Sequence, residues 1–480
     1  MIINFLIIIQ GYMVFSSLTF LFLFLPIFLS VYYLLPKKLK NFWIFVSSIW
    51  FYYCGQKQYV WLMILVIAVS YLSAILINRA DKNKKRIILA ITVITFLIIL
   101  FYFKYTNFII ENLEYITSEE YGINKIILPV GVSFYIFQAI SYVVDVYRGC
   151  TPINNFVDMG AYIACFPQLI AGPIIRYNDI SKYIDSRNRS VSIDQISEGC
   201  YRFCIGLTKK VLLANNFAGL SNLIFEAENV AAHSVLYCWL GAIAYTFQIY
   251  FDFSGYSDMA IGLGKMLGFE YKENFNYPYI AASITDFWRR WHISLSIWFR
   301  DYVYIPLGGN RRGLWIQLRN LFIVWLLTGM WHGASWNYIL WGIIYFTLIS
   351  LEKFWIRPER FSGIYSIIYH IYTGVAIIIL WTIFRTQTSG EAIVYIKSLL
   401  GLNGNLFYDK VFAFQFKNYF LLFLCGVIFS TPIYKIIAEG KIGNSIYGKA
   451  FLSIILLLLT LSSLLYILMG SYNPFLYFMF

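Results

Sequence analysis

Four stretches of this 480-residue chain, Ser17–Leu35, Tyr59–Ile77, Ile87–Phe103 and Phe451–Met469, contain no charged residue and are apolar almost throughout. Each is close to the length an α-helix needs to cross the roughly 30 Å hydrocarbon core of a bilayer. The apolar residues are continuous and do not alternate every second position, so helices, not a β-barrel, are the expected spanning elements. The remainder of the chain agrees. It is 60% hydrophobic and 13% charged, where soluble domains carry about 25% charged residues. At about 20 residues per span the length accommodates about ten to twelve helices and leaves no room for a soluble domain. The expected fold class is all-α: a polytopic, multi-pass protein of the cell membrane, with residues 1–480 forming a single domain.

The formal net charge of +13 is assigned to a cytoplasmic excess of Lys and Arg facing anionic lipid headgroups, not to nucleic acid. Lys37, Lys38 and Lys40, and the five basic residues of Arg79–Arg86, flank the early spans, whereas Glu111, Glu114, Glu119 and Glu120 follow Ile87–Phe103. The positive-inside rule then puts the basic loops in the cytoplasm and the N-terminus outside. Met1–Tyr12 is too short to span and lacks the marks of a signal peptide. It reads as a start-site extension, with Met13 as a second candidate start. The seven cysteines form no CxxC or metal-spaced set, so no metal is expected; Cys200 and Cys204 read as small packing residues.

Several other segments are less regular. Asn41–Cys54 is a further span, and Ile126–Tyr147 reads as a span interrupted by Pro129, Gly131 and Asp145. Ile153–Tyr177 is broken by Pro167, Gly172 and Pro173 and reads as re-entrant or interfacial. Such backbone is tolerated at membrane depth only inside protein or beside a wet cavity. Gln195–Asn216 is expected to be helical, and Ser234–Phe251 runs into a glycine-interrupted stretch carrying Asp252 and Asp258. Trp336–Leu351, Ile364–Phe384 and Tyr419–Tyr434 are the remaining spans, with an interfacial piece at Glu391–Leu400.

Against this background the ionisable groups between Asp286 and Arg312 stand out: Asp286, Arg289, Arg290, His292, Arg300, Asp301, Arg311 and Arg312. A charge at a bilayer centre costs about 2.5–3.5 kcal/mol, so these groups belong at an interface, along a wet cavity, or in chemistry. A helix here would put Asp286 with Arg290, and Arg289 with His292, on shared faces. It would also bring the Trp288 indole beside the His292 imidazole. An amphipathic interfacial helix is the blander account of the same pattern. His332 ends an apolar run, with Gly329 and Gly333 leaving room for another segment or a ligand; a hydrogen-bonded histidine inside a bundle is its blander account. Histidine suits a general base because its ordinary pKa, about 6.5, lies near working pH. His233 and His370 read as structural. No HExxH, Walker loop or GxSxG elbow occurs.

Five motifs together resemble the membrane-bound O-acyltransferase family: LPVGVSFYIFQAISYVVDVYRG (128–149), PQLIAGPIIRY (167–177), FQIYFDFSGYSDMAIGLGKMLGF (247–269), DFWRRWHISLSIWFRDYVYIPLGG (286–309) and TGMWHGASWNYILWG (328–342). The resemblance is greatest to the bacterial branch that contains the membrane subunit of alginate O-acetylation and peptidoglycan O-acetyltransferases. It implies a ring of helices with re-entrant segments around a central tunnel. It also implies that His332, in the WHG motif, is the catalytic histidine and His292, in WRRWH, the supporting one. Asp286, Trp288, Arg289, Trp331 and Asp252 are the further supporting candidates.

The implied reaction carries an acyl group, most simply acetyl, from a cytoplasmic thioester to hydroxyls of an extracytoplasmic envelope polysaccharide. The donor, acetyl-CoA or an acyl carrier thioester, is a substrate, and no permanently bound cofactor is expected. The implied partner is a secreted SGNH-type acetyltransferase or a small membrane peptide. Besides a non-catalytic scaffold that recruits the secreted partner, two rivals stay open at this point. One is D-alanyl transfer to teichoic acid. The other is a transporter or flippase, which predicts two similar halves with paired broken helices; no such internal symmetry is visible in the sequence.

Overall fold

A computed structural model describes residues 13–227, 229–440, 443 and 445–470, so the expected start-site extension Met1–Tyr12 lies outside the described residues. Among them every regular element is helical. Seven helical stretches are long and apolar enough to cross a membrane: Lys37–Arg79, Lys82–Thr117, Leu314–His332, Trp336–Ile356, Ile364–Arg385, Lys410–Phe429 and Ile446–Leu468. The first contains two helices, Lys40–Gln56 and Val60–Arg79, and Phe20–Leu34 and Val132–Tyr147 are shorter apolar helices. With that division and the two shorter helices, the apolar helices among the described residues number ten, the lower end of the ten to twelve expected. The chain is an integral membrane protein.

Contacts divide the chain into two compact units, one of Met1–Phe203 with Tyr256–Lys272, the other of Cys204–Gly255 with Glu273–Phe480. In the first, the proline-broken segment forms two short helices, Phe156–Ile163 and Phe166–Leu169, the latter buried at every residue. Phe166 meets Phe28 and Phe24 edge-on at 4.9 and 5.2 Å. This irregular backbone is enclosed by protein, the condition under which it is tolerated. Val132–Tyr147 is shorter than the expected Ile126–Tyr147. Pro129 precedes it, and Gly131, at φ 76°, turns the chain where a Cβ would meet the Leu169 carbonyl oxygen at 2.8 Å.

Two other expectations are corrected. The basic loop and the acidic segment around the fourth span are largely helical, because Lys82–Thr117 is one 36-residue helix. At 1.5 Å per residue it is about 54 Å long, well beyond the hydrocarbon thickness, so its charged ends reach past the apolar middle. Val235–Met266 is also one continuous helix of 32 residues, not a span that ends in a glycine-broken stretch. Its glycines admit neighbours: a Cβ at Gly255 would lie 2.8 Å from the Gly206 carbonyl oxygen, and one at Gly262 would lie 2.5 Å from that of Gly199.

In the second unit, Leu314–His332 and Trp336–Leu351 form a tight helical hairpin. A Cβ at Gly342 would sit 2.5 Å from the Trp325 carbonyl oxygen. The span expected at Tyr419–Tyr434 begins earlier, at Lys410, where the Asp409 side chain caps it by accepting the Phe412 N–H at 2.6 Å. Ser389–Leu399, expected at the interface, packs Tyr395 and Leu399 inward against Cys238 and Ala242.

Candidate functional site

The stretch around WRRWH is not one helix. Ile284–Arg290 is capped by Ser283, whose hydroxyl accepts the Asp286 N–H at 3.0 Å. The buried Glu352 carboxylate accepts the N–H groups of Ile284 and Thr285 at 2.7 and 2.8 Å, the Thr285 hydroxyl at 2.6 Å and the Tyr369 hydroxyl at 3.0 Å. The helix then stops. Trp291 is extended, His292 takes a left-handed conformation (φ 43°, ψ 54°), and a second helix runs from Ile293 to Phe299. The preceding strand of backbone ties down this corner, with Asn276 N–H donating to the Arg290 carbonyl at 2.9 Å and Ile293 N–H to that of Asn274 at 3.0 Å.

The break overturns the helical pairings expected for His292. Asp286 does pair with Arg290, at 3.0 Å. Arg289 is exposed, and neither Asp286 nor Arg289 is directed to the imidazole, because the corner rotates it out of their helical register. Trp288 does not stack on His292; its indole packs among Trp325, Tyr345 and Trp341 at 4.8, 5.0 and 5.5 Å.

His292 is buried, 1% exposed. Its Nδ1 lies 3.1 Å from Asn274 Oδ1, and its ring meets Phe253 edge-on at 4.7 Å. Nε2 makes no hydrogen bond to a described residue. Removal from water disfavours the imidazolium, pushing the His292 pKa down to about 3, so the ring is neutral at physiological pH.

His332 is the last residue of Leu314–His332 and is 3% exposed. Trp331, Phe384 and Trp341 surround its ring at 4.9, 5.1 and 5.2 Å. Trp331 is also 5.7 Å from His292, so one indole stands beside both histidines. The glycines around His332 do not leave the expected opening. A Cβ at Gly329 would run into the Tyr338 carbonyl oxygen, and one at Gly333 into the Tyr338 ring. Their smallness is used for close packing of the next helix.

Asp252 pairs with Lys210 at 2.7 Å. Sequence reasoning missed Asn274, Ser294, Phe253, Glu352 and Phe384. Helical spacing does not connect any of them to a histidine; only the ENFN stretch ahead of the motif, with its two asparagines, offered a hint. Chemically, two buried imidazoles in aromatic surroundings are groups held out of water that can accept a proton from a hydroxyl brought to them.

Comparison with known proteins agrees with the motifs. The profile of MBOAT, the membrane-bound O-acyltransferase family, matches residues 49–388. A probable alginate O-acetylase of Pseudomonas putida is 39% identical over 496 aligned residues, covering 98% of this chain and 100% of that protein. A peptidoglycan O-acetyltransferase of Helicobacter pylori is 33% identical, covering 82% of this chain and 80% of the relative. A teichoic acid D-alanyltransferase of Bacillus subtilis is 27% identical over 51% of this chain.

Proposed function

This chain belongs to the membrane-bound O-acyltransferase family, and on that premise we propose that it transfers acetyl from a thioester to hydroxyls of an envelope polysaccharide. The donor is cytoplasmic, acetyl-CoA or an acyl carrier thioester. The observation that carries the reading is the pair His292 and His332, both buried and both beside the Trp331 indole. The similarity to acetylating relatives covers nearly the whole chain, whereas similarity to the D-alanyltransferase covers about half. That difference favours acetyl.

In the proposed reaction the acceptor oxygen attacks the thioester carbonyl carbon while His332 takes the hydroxyl proton. The C–S bond then breaks, and the leaving thiolate receives that proton, giving an O-acetyl ester and a free thiol. A positioned base of this kind accelerates such a step by about 10²–10⁴-fold. Burial at His332 keeps water from competing with the hydroxyl. Trp331 stands beside both histidines, and Arg289, exposed on the WRRWH helix, suits contact with an anionic donor. A secreted SGNH-type acetyltransferase or a small membrane peptide would complete delivery outside the membrane.

The test is alkali release of acetate and D-alanine from envelope polymers of cells carrying the wild-type chain, His332→Ala, or no copy. Acetate present with wild type and lost in the other two is the expected result. D-alanine in its place would replace the donor assignment, and no change in either would remove envelope acylation.

A further inference from the structure

We propose that Asn274 is a positioning residue that holds the His292 imidazole in its Nδ1–H tautomer and leaves Nε2 as an unprotonated acceptor facing the reaction. The inference rests on the acyl-transfer reading above. Three groups converge on one atom of Asn274: His292 Nδ1 at 3.1 Å, the Ser294 hydroxyl at 2.9 Å and the Ser294 backbone N–H at 3.2 Å. A backbone N–H can only donate, so the amide atom that receives it is the oxygen, which can only accept. The His292 nitrogen sharing that oxygen must therefore carry the proton. A neutral imidazole has one N–H, so its lone pair sits on Nε2. The Ser294 oxygen, 3.4 Å from Nδ1, is a second acceptor for the same proton and leaves the assignment unchanged.

Asn274 is fully buried, and its backbone carbonyl also receives the Ile293 N–H at 3.0 Å. One residue thus holds both the chain and the ring at the corner. The consequence for chemistry is specific. With Nδ1 engaged and Nε2 lacking a proton, His292 cannot donate to the oxyanion that forms on the thioester carbonyl; it serves as an acceptor. The groups packed on its ring, Asn274, Ser294, Phe253 and Trp331, carry no charge. The ionisable residues beside them in the chain are Glu273, Asp252, which is paired with Lys210, and His332.

The test uses the full-length protein in detergent with acetyl-CoA as donor, and compares Asn274→Ala with Asn274→Asp. Removing the amide should lower kcat at least about tenfold with little change in KM for the thioester, since the ring is then free to present the wrong tautomer. Aspartate still accepts from Nδ1 but places a negative charge beside it, so the His292 imidazole itself should titrate at higher pH than in wild type. Histidine ¹⁵N spectra supply a readout independent of turnover: the His292 signal, assigned by its loss in His292→Gln, should show a protonated Nδ1 in wild type. A protonated Nε2, wild-type kcat per folded Asn274→Ala, or a His292 ¹⁵N titration no higher in Asn274→Asp than in wild type would each overturn the inference. If His332→Ala abolishes turnover while these outcomes appear, only the role of Asn274 fails. If His332→Ala remains fully active, the acyl-transfer reading fails first.

Discussion

Lys210 Nζ lies 2.7 Å from Asp252 Oδ1 with both side chains 3% exposed, a buried ion pair one residue away from the ring that backs His292. Lys210 belongs to a π-helical turn, Lys209–Ala214, and also donates to Asn215 Oδ1 at 2.8 Å. Such turns recur at functional positions because the extra residue re-aims a side chain.

Breaking one half of that pair takes its charge partner from a buried ion, a change that costs about 3–5 kcal/mol. Asp252→Asn and Lys210→Met should each lower the melting temperature in detergent markedly. The double variant Lys210→Met/Asp252→Leu should recover much of the loss. Equal damage in single and double variants would show that the side chains matter separately.

Glu352 accepts from three donors at the start of the WRRWH helix and from the Tyr369 hydroxyl. Gln can accept through one atom only and turns an NH₂ toward groups that also donate. Glu352→Gln should therefore be nearly as harmful as Glu352→Ala, at about 2–3 kcal/mol. Thermal unfolding of the two variants side by side checks this.

Two glycines separate close packing from open space. Gly329→Ala pushes a methyl against the Tyr338 carbonyl, whereas Gly374, in Ile364–Arg385, has nothing within 4 Å of where a Cβ would stand. The first substitution should cost about 1–3 kcal/mol and reduce acetyl transfer, because His332 lies on the displaced helix. The second should be neutral or stabilising by up to about 1 kcal/mol. Melting temperatures in detergent and acetate release from cells carrying each variant check the contrast.

The depressed pKa of His292 fixes the sign of one pH effect. Between its folded value of about 3 and the ordinary value of about 6.5, the unfolded chain binds a proton that the folded chain does not. Stability should therefore fall as pH drops through 6.5 toward 3. His292→Gln, which cannot titrate, should lose less stability over the same interval. Parallel slopes for wild type and variant would contradict burial of a neutral ring.

Much of the fold was legible because lipid-crossing helices need long apolar strings, and Tyr59–Ile77 or Ile87–Phe103 admit no other reading. Helix ends were less legible. Lys82–Arg86 and Glu111–Thr117 look like loop by charge, yet a helix leaving the membrane continues wherever its residues favour it. Gly255 and Gly262 look like breaks by composition but serve close approach of Gly206 and Gly199. At the site, the motifs drew attention to His292 and His332. The identity of the atom on each imidazole nitrogen was hidden, because Asn274 reaches His292 across 18 residues through a corner that no helical period encodes.

That corner has a wider meaning. At φ 43° an L-residue other than glycine or asparagine is held against its own backbone preference, by roughly 1–2 kcal/mol. The backbone and the buried ring therefore ask for different amino acids at position 292. Glycine would relieve the first demand and empty the second, leaving a void where the imidazole meets Phe253 and Asn274, and such voids cost more than the strain they remove.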